Sequence, residues 1–195
     1  MLTRESRFLA VCLSTLLFAA LSFPVVAKPK LFLKSDDAKE ADEPRAFLPD
    51  YDKLTKGDAA DWIYLPAGSL KTFKSVTVKE FVSNGEGDHK TESRHAAEYG
   101  KDYLEKWLRK QGFNVVEKDG ELTVEGNVFN AWEPSGGARF WGGWMANPGS
   151  IIELVGKDKK GNTVFEIRHK ARGSTVDDSV ENGLEKILKT LQAWQ

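Results

Sequence analysis

Side chains able to do chemistry are few in this sequence. His89 and His95 stand six apart among Asp88, Glu92 and Glu98, so a metal site shared between a loop and the start of a helix is one arrangement open to them. A closed site needs about four well-placed ligands, and a His pair with loose carboxylates arises readily by chance. We therefore assign no metal ligands and expect no cofactor. His169 continues the parity of Phe165 and Ile167 and is expected at the edge of the core. Ser135 precedes a glycine pair and Ser174 starts a helix, while no Gly-x-Ser-x-Gly elbow, phosphate-binding loop or dinucleotide fingerprint occurs. With no catalytic residue to name, the expectation is a protein that is not an enzyme. A periplasmic metal-binding protein or hydrolase using His89, His95 and nearby carboxylates is the alternative.

The least ordinary stretch runs from Trp132 to Gly149 and places three tryptophans among five glycines. The pairs Gly136-Gly137 and Gly142-Gly143 permit sharp turns or a close approach to another surface. Trp132, Phe140, Trp141 and Trp144 could cap the sheet as a satellite core under a long hairpin loop. The same rings, with Arg139, have the composition of a binding hot spot. Insertion at a membrane interface is a third reading, weakened by the lack of a lysine-rich flank, and stacking on a sugar is a fourth. The partner-binding candidates are thus Arg139, Phe140, Trp141 and Trp144, supported by Trp132.

The first 27 residues read as an address. Arg4 and Arg7 form a basic start, Phe8 to Phe23 is an uncharged apolar run of 16 residues, and Pro24-Val-Val-Ala27 supplies a cleavage site. The run falls short of the roughly 20 residues that a spanning helix needs. Cleavage between Ala27 and Lys28 is expected, leaving no transmembrane span. Cys12, the only cysteine, goes with the leader, so the mature chain has neither disulfide nor thiolate chemistry. Val11 before Cys12, near the start of the run, does not fit an acylation signal. Export without disulfides suits a bacterial periplasm. The formal net charge of −1 moves to about −2 on cleavage, which gives no electrostatic footprint for nucleic acid.

The remaining chain divides into a charged leader over 28–46, an ordered arm over 47–74 and an α+β domain over 75–195. In the arm, Pro49, Gly57, Pro66 and Gly68 punctuate two short apolar pieces, which suits a segment laid across a core. Ser75 to Val82 alternates with Val76, Val78 and Val82 on one face, and predicts a strand. Ala96, Ala97, Gly100, Leu104, Trp107, Leu108 and Gln111 recur at helical spacing and Gly112 follows them as a cap. Short and long strands over 113–118 and 122–128 flank Asp119-Gly120, a hairpin signal. Strands at 150–155 and 163–169 flank a second turn at Lys157 to Gly161. Val176, Val180, Leu184, Ile187, Leu188, Leu191 and Trp194 form the stripe of a final helix, with Thr175 as its cap and Gly183 at a point of close packing. The order β-α-β-β-β-β-α predicts a small mixed, mostly antiparallel sheet with both helices on one face. The other face is left for solvent or a partner.

Two resemblances rest on these residues. Phe-Leu-x-Asp-Tyr-x-x-Leu from Phe47, followed by the Trp/Tyr run and Pro-Ala-Gly, resembles the opening of a bacterial envelope-lipoprotein family known only as a domain of unknown function. Residues 113–195, with Gly-Gly-Ala-Arg-Phe-Trp-Gly-Gly at 136–143 and Asp-Lys-Lys-Gly-Asn at 158–162, are similar to another uncharacterised bacterial envelope family. That family shares a small α/β domain type with lipoprotein activators of cell-wall synthases. The resemblance implies binding of an envelope protein or cell-wall polymer, with no known chemistry. The sequence departs from it in lacking an acylation cysteine and in carrying Trp144-Met-Ala-Asn-Pro.

Overall fold

The computed structural model describes residues 47–66, 68–83, 90–133 and 147–194, without the side chains of Lys90, Asn130 and Trp132. The expected signal segment and leader lie outside the described residues. The strands are β1 (Thr55–Lys56), β2 (Trp62–Tyr64), β3 (Ser75–Val78), β4 (Val82–Ser83), β5 (Asn114–Val115), β6 (Leu122–Trp132), β7 (Gly149–Asp158) and β8 (Thr163–Arg172). The helices are α1 (Lys90–Lys110) and α2 (Val176–Ala193). They join in one sheet of order β1-β2-β8-β7-β6-β3-β5, with β4 also on β6. The architecture is α+β, as the hydrophobic patterning predicts.

Alternation sorts the sheet into two unlike faces. Leu122, Val124 and Val128 of β6, Ile152 and Leu154 of β7, and Phe165 and Ile167 of β8 share the face under the helices. Against them α1 buries Ala96, Ala97, Leu104 and Leu108, and α2 buries Val180, Leu184, Ile187, Leu188 and Leu191. The helix ends are set locally. Thr175 accepts a hydrogen bond from the Asp178 N–H at 3.0 Å. Gly112, with φ of 88°, closes α1 while the Phe113 N–H reaches back to the Leu108 carbonyl at 3.1 Å. Gly183 lets α2 sit close to β7, since a Cβ there would stand 2.9 Å from Ile152 Cδ1.

Three sequence expectations need correction. Asp119-Gly120 does not turn a hairpin: β5 and β6 both run parallel to β3, one on each side of it. The chain instead crosses β3 between them, with the Gly120 N–H on Thr77 Oγ1 at 3.0 Å and the Glu121 N–H on Ser75 Oγ at 3.1 Å. A Cβ at Gly120 would lie 2.5 Å from the Thr77 nitrogen, so the glycine signals close passage. The strand from Ser75 also breaks after Val78. Val82 is 45% exposed, and Phe81 enters the core in its place, its ring over Gly126. Finally, the second sheet face is not left open along its length. Part of the arm joins the sheet as β1 and β2, and the segment from Phe47 to Leu54 lies over that face.

Gly126→Ala would bring a Cβ to 2.4 Å from the Phe81 ring. Urea unfolding is expected to show a loss of about 1–3 kcal/mol, with partial recovery when Phe81→Leu is added.

Candidate functional site

The face away from the helices carries a buried polar cluster, and register explains its assembly. Asn127 on β6 pairs with Glu153 on β7, which pairs with Arg168 on β8, which pairs with Trp62 on β2. All four side chains therefore stand in one row across the sheet. Glu153 is 1% exposed and Arg168 4%. One carboxylate oxygen of Glu153 accepts from Arg168 Nη1 and from the Tyr51 hydroxyl, the latter at 2.8 Å. Its other oxygen accepts from Asn127 Nδ2 at 2.8 Å. The Arg168 guanidinium also lies 5.2 Å from the centre of the Phe129 ring.

The arm completes this cluster from above. A short 3-10 turn at Tyr51–Lys53 points Tyr51 into the sheet, where its hydroxyl accepts the Phe47 and Leu48 N–H groups, both at 3.3 Å. Leu48, Tyr51 and Leu54 pack with Trp62 and Val155 into a second apolar core. Burial, and then the charge of Glu153, push the Tyr51 hydroxyl up to about 12. It stays a donor across the physiological range. The Asp50 N–H meets Glu166 Oε2 at 3.1 Å, while Glu166 Oε1 and Asn127 Oδ1 are buried without a hydrogen-bond partner among the described residues. Burial raises the Glu166 carboxyl above its ordinary value of 4.5, more than the Asp50 N–H and the nearby lysines lower it. A donor, an ion pair and an amide that converge on one buried carboxylate beneath a closed arm can clamp backbone segments. They offer no exposed nucleophile or base.

The sequence-selected residues fall elsewhere. Arg139, Phe140, Trp141 and Trp144 lie outside the described residues, as does His89. Trp132 ends β6 opposite Gly149, and its side chain is outside the description too. His95 Nε2 meets Asp177 Oδ1 at 3.0 Å, linking α1 to α2. His169 sits at the core edge, its Nδ1 2.9 Å from Asp61 Oδ2. Burial alone would raise the Asp61 carboxyl, but the hydrogen bond and charge of His169, with the Lys170 N–H, outweigh it and hold it below its ordinary value. Among the described residues no group of three or more His, Cys, Asp or Glu side chains could hold a metal. No described helix is long and apolar enough to cross a membrane. Sequence reasoning passed over Tyr51, Glu153 and Arg168. The available signal was a charge at a strand position flanked by Ile151, Ile152, Leu154 and Val155.

No protein-family model matches the chain, and no curated protein matches it. Similar solved structures include a PelC dodecamer from Paraburkholderia phytofirmans, 16% identical, covering 68% of this chain and 96% of that one with a TM-score of 0.49. A hypothetical protein from Chlamydia trachomatis is 6% identical, covering 62% and 99% with a TM-score of 0.41. A PDZ domain protein from Parabacteroides distasonis is 11% identical, covering 67% of this chain and 34% of that one with a TM-score of 0.39. Likenesses of this degree assign no function.

Two measurements probe the cluster. Arg168→Met is expected to lose about 3–5 kcal/mol in urea unfolding because it strands a buried carboxylate, and adding Glu153→Leu should recover most of that loss. Glu166 works with the opposite sign. A carboxyl whose folded value is raised binds more protons when folded, so stability falls as pH rises from 4.5 through the raised value. The stability of Glu166→Gln relative to wild type should therefore increase over that window.

Proposed function

We propose that this protein is an exported, non-enzymatic binding or accessory module of the bacterial cell envelope. In this reading its contact surface is the Gly/Trp-rich loop with Arg139, Phe140, Trp141 and Trp144. The observation that carries it is the long β6–β7 ladder. Pairing extends from Leu122 opposite Asp158 to Trp132 opposite Gly149, with one shift in register after Phe129. Both ends of the loop-bearing connection thus leave from neighbouring positions on a stiff ribbon. That end is tied down by the Ala131 N–H on Ser93 Oγ at 3.0 Å, the Gly173 N–H on the Pro148 carbonyl at 3.0 Å and Arg172 Nη1 on the Asn147 carbonyl at 3.3 Å. Rigid scaffolds of this kind hold recognition loops.

Three further points support the reading. The apolar first run with its cleavage site suits export, the buried charges of the sheet serve a closed clamp, and the residue patterns resemble envelope families without known chemistry. A partner would be an envelope protein or a cell-wall polymer, met by aromatic rings that bury area and by an arginine that pairs with a carboxylate or carbonyl.

Acrylamide quenching tests the loop directly. The tryptophan emission removed by Trp141→Phe and Trp144→Phe is expected to be readily quenched. Replacing the same residues by alanine should weaken sedimentation with isolated cell-wall sacculi or envelope membranes by at least about tenfold at unchanged Tm. Blue-shifted, protected emission from those positions would make the loop part of a core and remove the proposed contact surface. Recovery of a chain starting at Lys28 from the osmotic-shock fraction is the matching test of export.

A further inference from the structure

Glu153 has its partners, but a second carboxylate buried under the arm does not. Glu166 stands on β8 opposite Val155 of β7 and Tyr64 of β2, two residues before Arg168, and is 0% exposed. Its Oε2 accepts the Asp50 N–H at 3.1 Å, and its Oε1 has no hydrogen-bond partner among the described residues. The charged groups on the elements around it are engaged with one another. On the arm, Lys53 Nζ holds Asp50 at 2.7 Å and lies 5.3 Å from the centre of the Tyr64 ring, while Asp52 is exposed. On β7, Lys157 holds Glu125 of β6 at 2.7 Å, and Glu153 is held by Arg168 of β8 and by Tyr51. Among the described residues Glu166 is thus enclosed without a counter-ion, a state that favours the neutral acid.

The cover over this carboxyl is separable from the rest of the fold. Leu48, Tyr51 and Leu54 pack with Trp62 and Val155 in a small cluster distinct from the main core, which lies on the other face of the sheet. The segment reaches β8 through the Asp50 N–H on Glu166 and β7 through the Tyr51 hydroxyl on Glu153. Its own turn is closed internally, by the Lys53 N–H on the Asp50 carbonyl at 2.9 Å and the Leu54 N–H on the Tyr51 carbonyl at 3.3 Å. Lifting residues 47–54 therefore costs a small core and leaves the helix side of the sheet intact, which is the condition for local opening.

We propose that the segment 47–54 is a proton-controlled strap, closed over the sheet while Glu166 is protonated and lifted locally when Glu166 ionises. The carboxylate needs hydration that one backbone N–H does not replace, and water reaches it once the strap lifts. Lifting uncovers Tyr51, Trp62 and the Glu153–Arg168 pair. The sign follows from linkage: the closed form holds the proton more tightly, so opening gains as pH rises from 4.5 through the raised folded value, and acid closes the strap. Burial, the largest influence on the Glu166 carboxyl, acts in this direction. Two other titrating groups lie outside the window. The Tyr51 hydroxyl is pushed up to about 12, and Asp61, held below its ordinary 3.8, ties β2 to His169 and Lys170 rather than the strap to the sheet. The strap is independent of export and of the loop residues named above.

Hydrogen exchange of the full chain, read in peptic fragments as protection relative to intrinsic exchange at each pH, tests this. Protection of 47–54 is expected to fall by at least about threefold between about pH 4.5 and about pH 7, while β7 and β8 keep theirs. Glu166→Gln keeps an oxygen for the Asp50 N–H but never ionises, so its strap should hold one level of protection across the range. Asp61→Asn should leave the fall in place. A flat wild-type profile, an equal fall in β7, a fall that survives in Glu166→Gln, or its loss in Asp61→Asn would each overturn the proposal.

Discussion

The carboxylate of Glu153, enclosed near the middle of the central strand, is the constraint to which the face away from the helices answers. A charge in that position is tolerable only when its oxygens are filled, and three neighbours fill them: Arg168, Asn127 and Tyr51. Two of these come from adjacent strands by register. The third comes from a segment about a hundred residues earlier in the chain. Tyr51 therefore does more than add area. Its hydroxyl requires the arm to lie at one height and one angle over the sheet, and Leu48, Leu54 and Trp62 then close around it.

This arrangement gives the two faces of the sheet different characters. Under the helices the contacts are apolar and tolerate no added volume, as Gly126 beneath Phe81 and Gly156 beneath Phe165 illustrate. Under the arm a smaller apolar core adjoins the polar row centred on Glu153. The ion pair adds little net stability relative to an apolar replacement, but a buried charge is intolerant of misplacement, which favours one register of β7 against both neighbours. The β6–β7 ribbon is held from both sides as a result. The proposed recognition role of the loop that this ribbon carries leans on that stiffness.

Much of this fold is legible in the sequence because its signals are local. The apolar stripe of α2, its Thr175 cap, the Gly112 terminus and the turn before Gly161 each depend on residues within a few positions of one another. The failures are non-local. Asp119-Gly120 has the composition of a hairpin turn, yet β3 takes the place between β5 and β6, and the glycine serves a crossing that no short window reveals. Val82 continues a period of two that the chain abandons at Lys79, where the space above Gly126 admits Phe81 instead. In the arm, the pattern from Phe47 to Tyr64 suggests an extended, ordered segment without disclosing that its hydroxyl meets Glu153.

The sequence by itself determined the class of fold, the helix faces, the main β7–β8 hairpin and the lack of any catalytic motif, since periodicity and turn chemistry are properties of neighbouring residues. Tertiary structure alone decided the strand order, the partners of Glu153, Arg168 and His169, and the enclosure of Glu166. Each of those depends on which distant segments share a register or a helix contact. That choice is made by burial and charge satisfaction over the whole molecule.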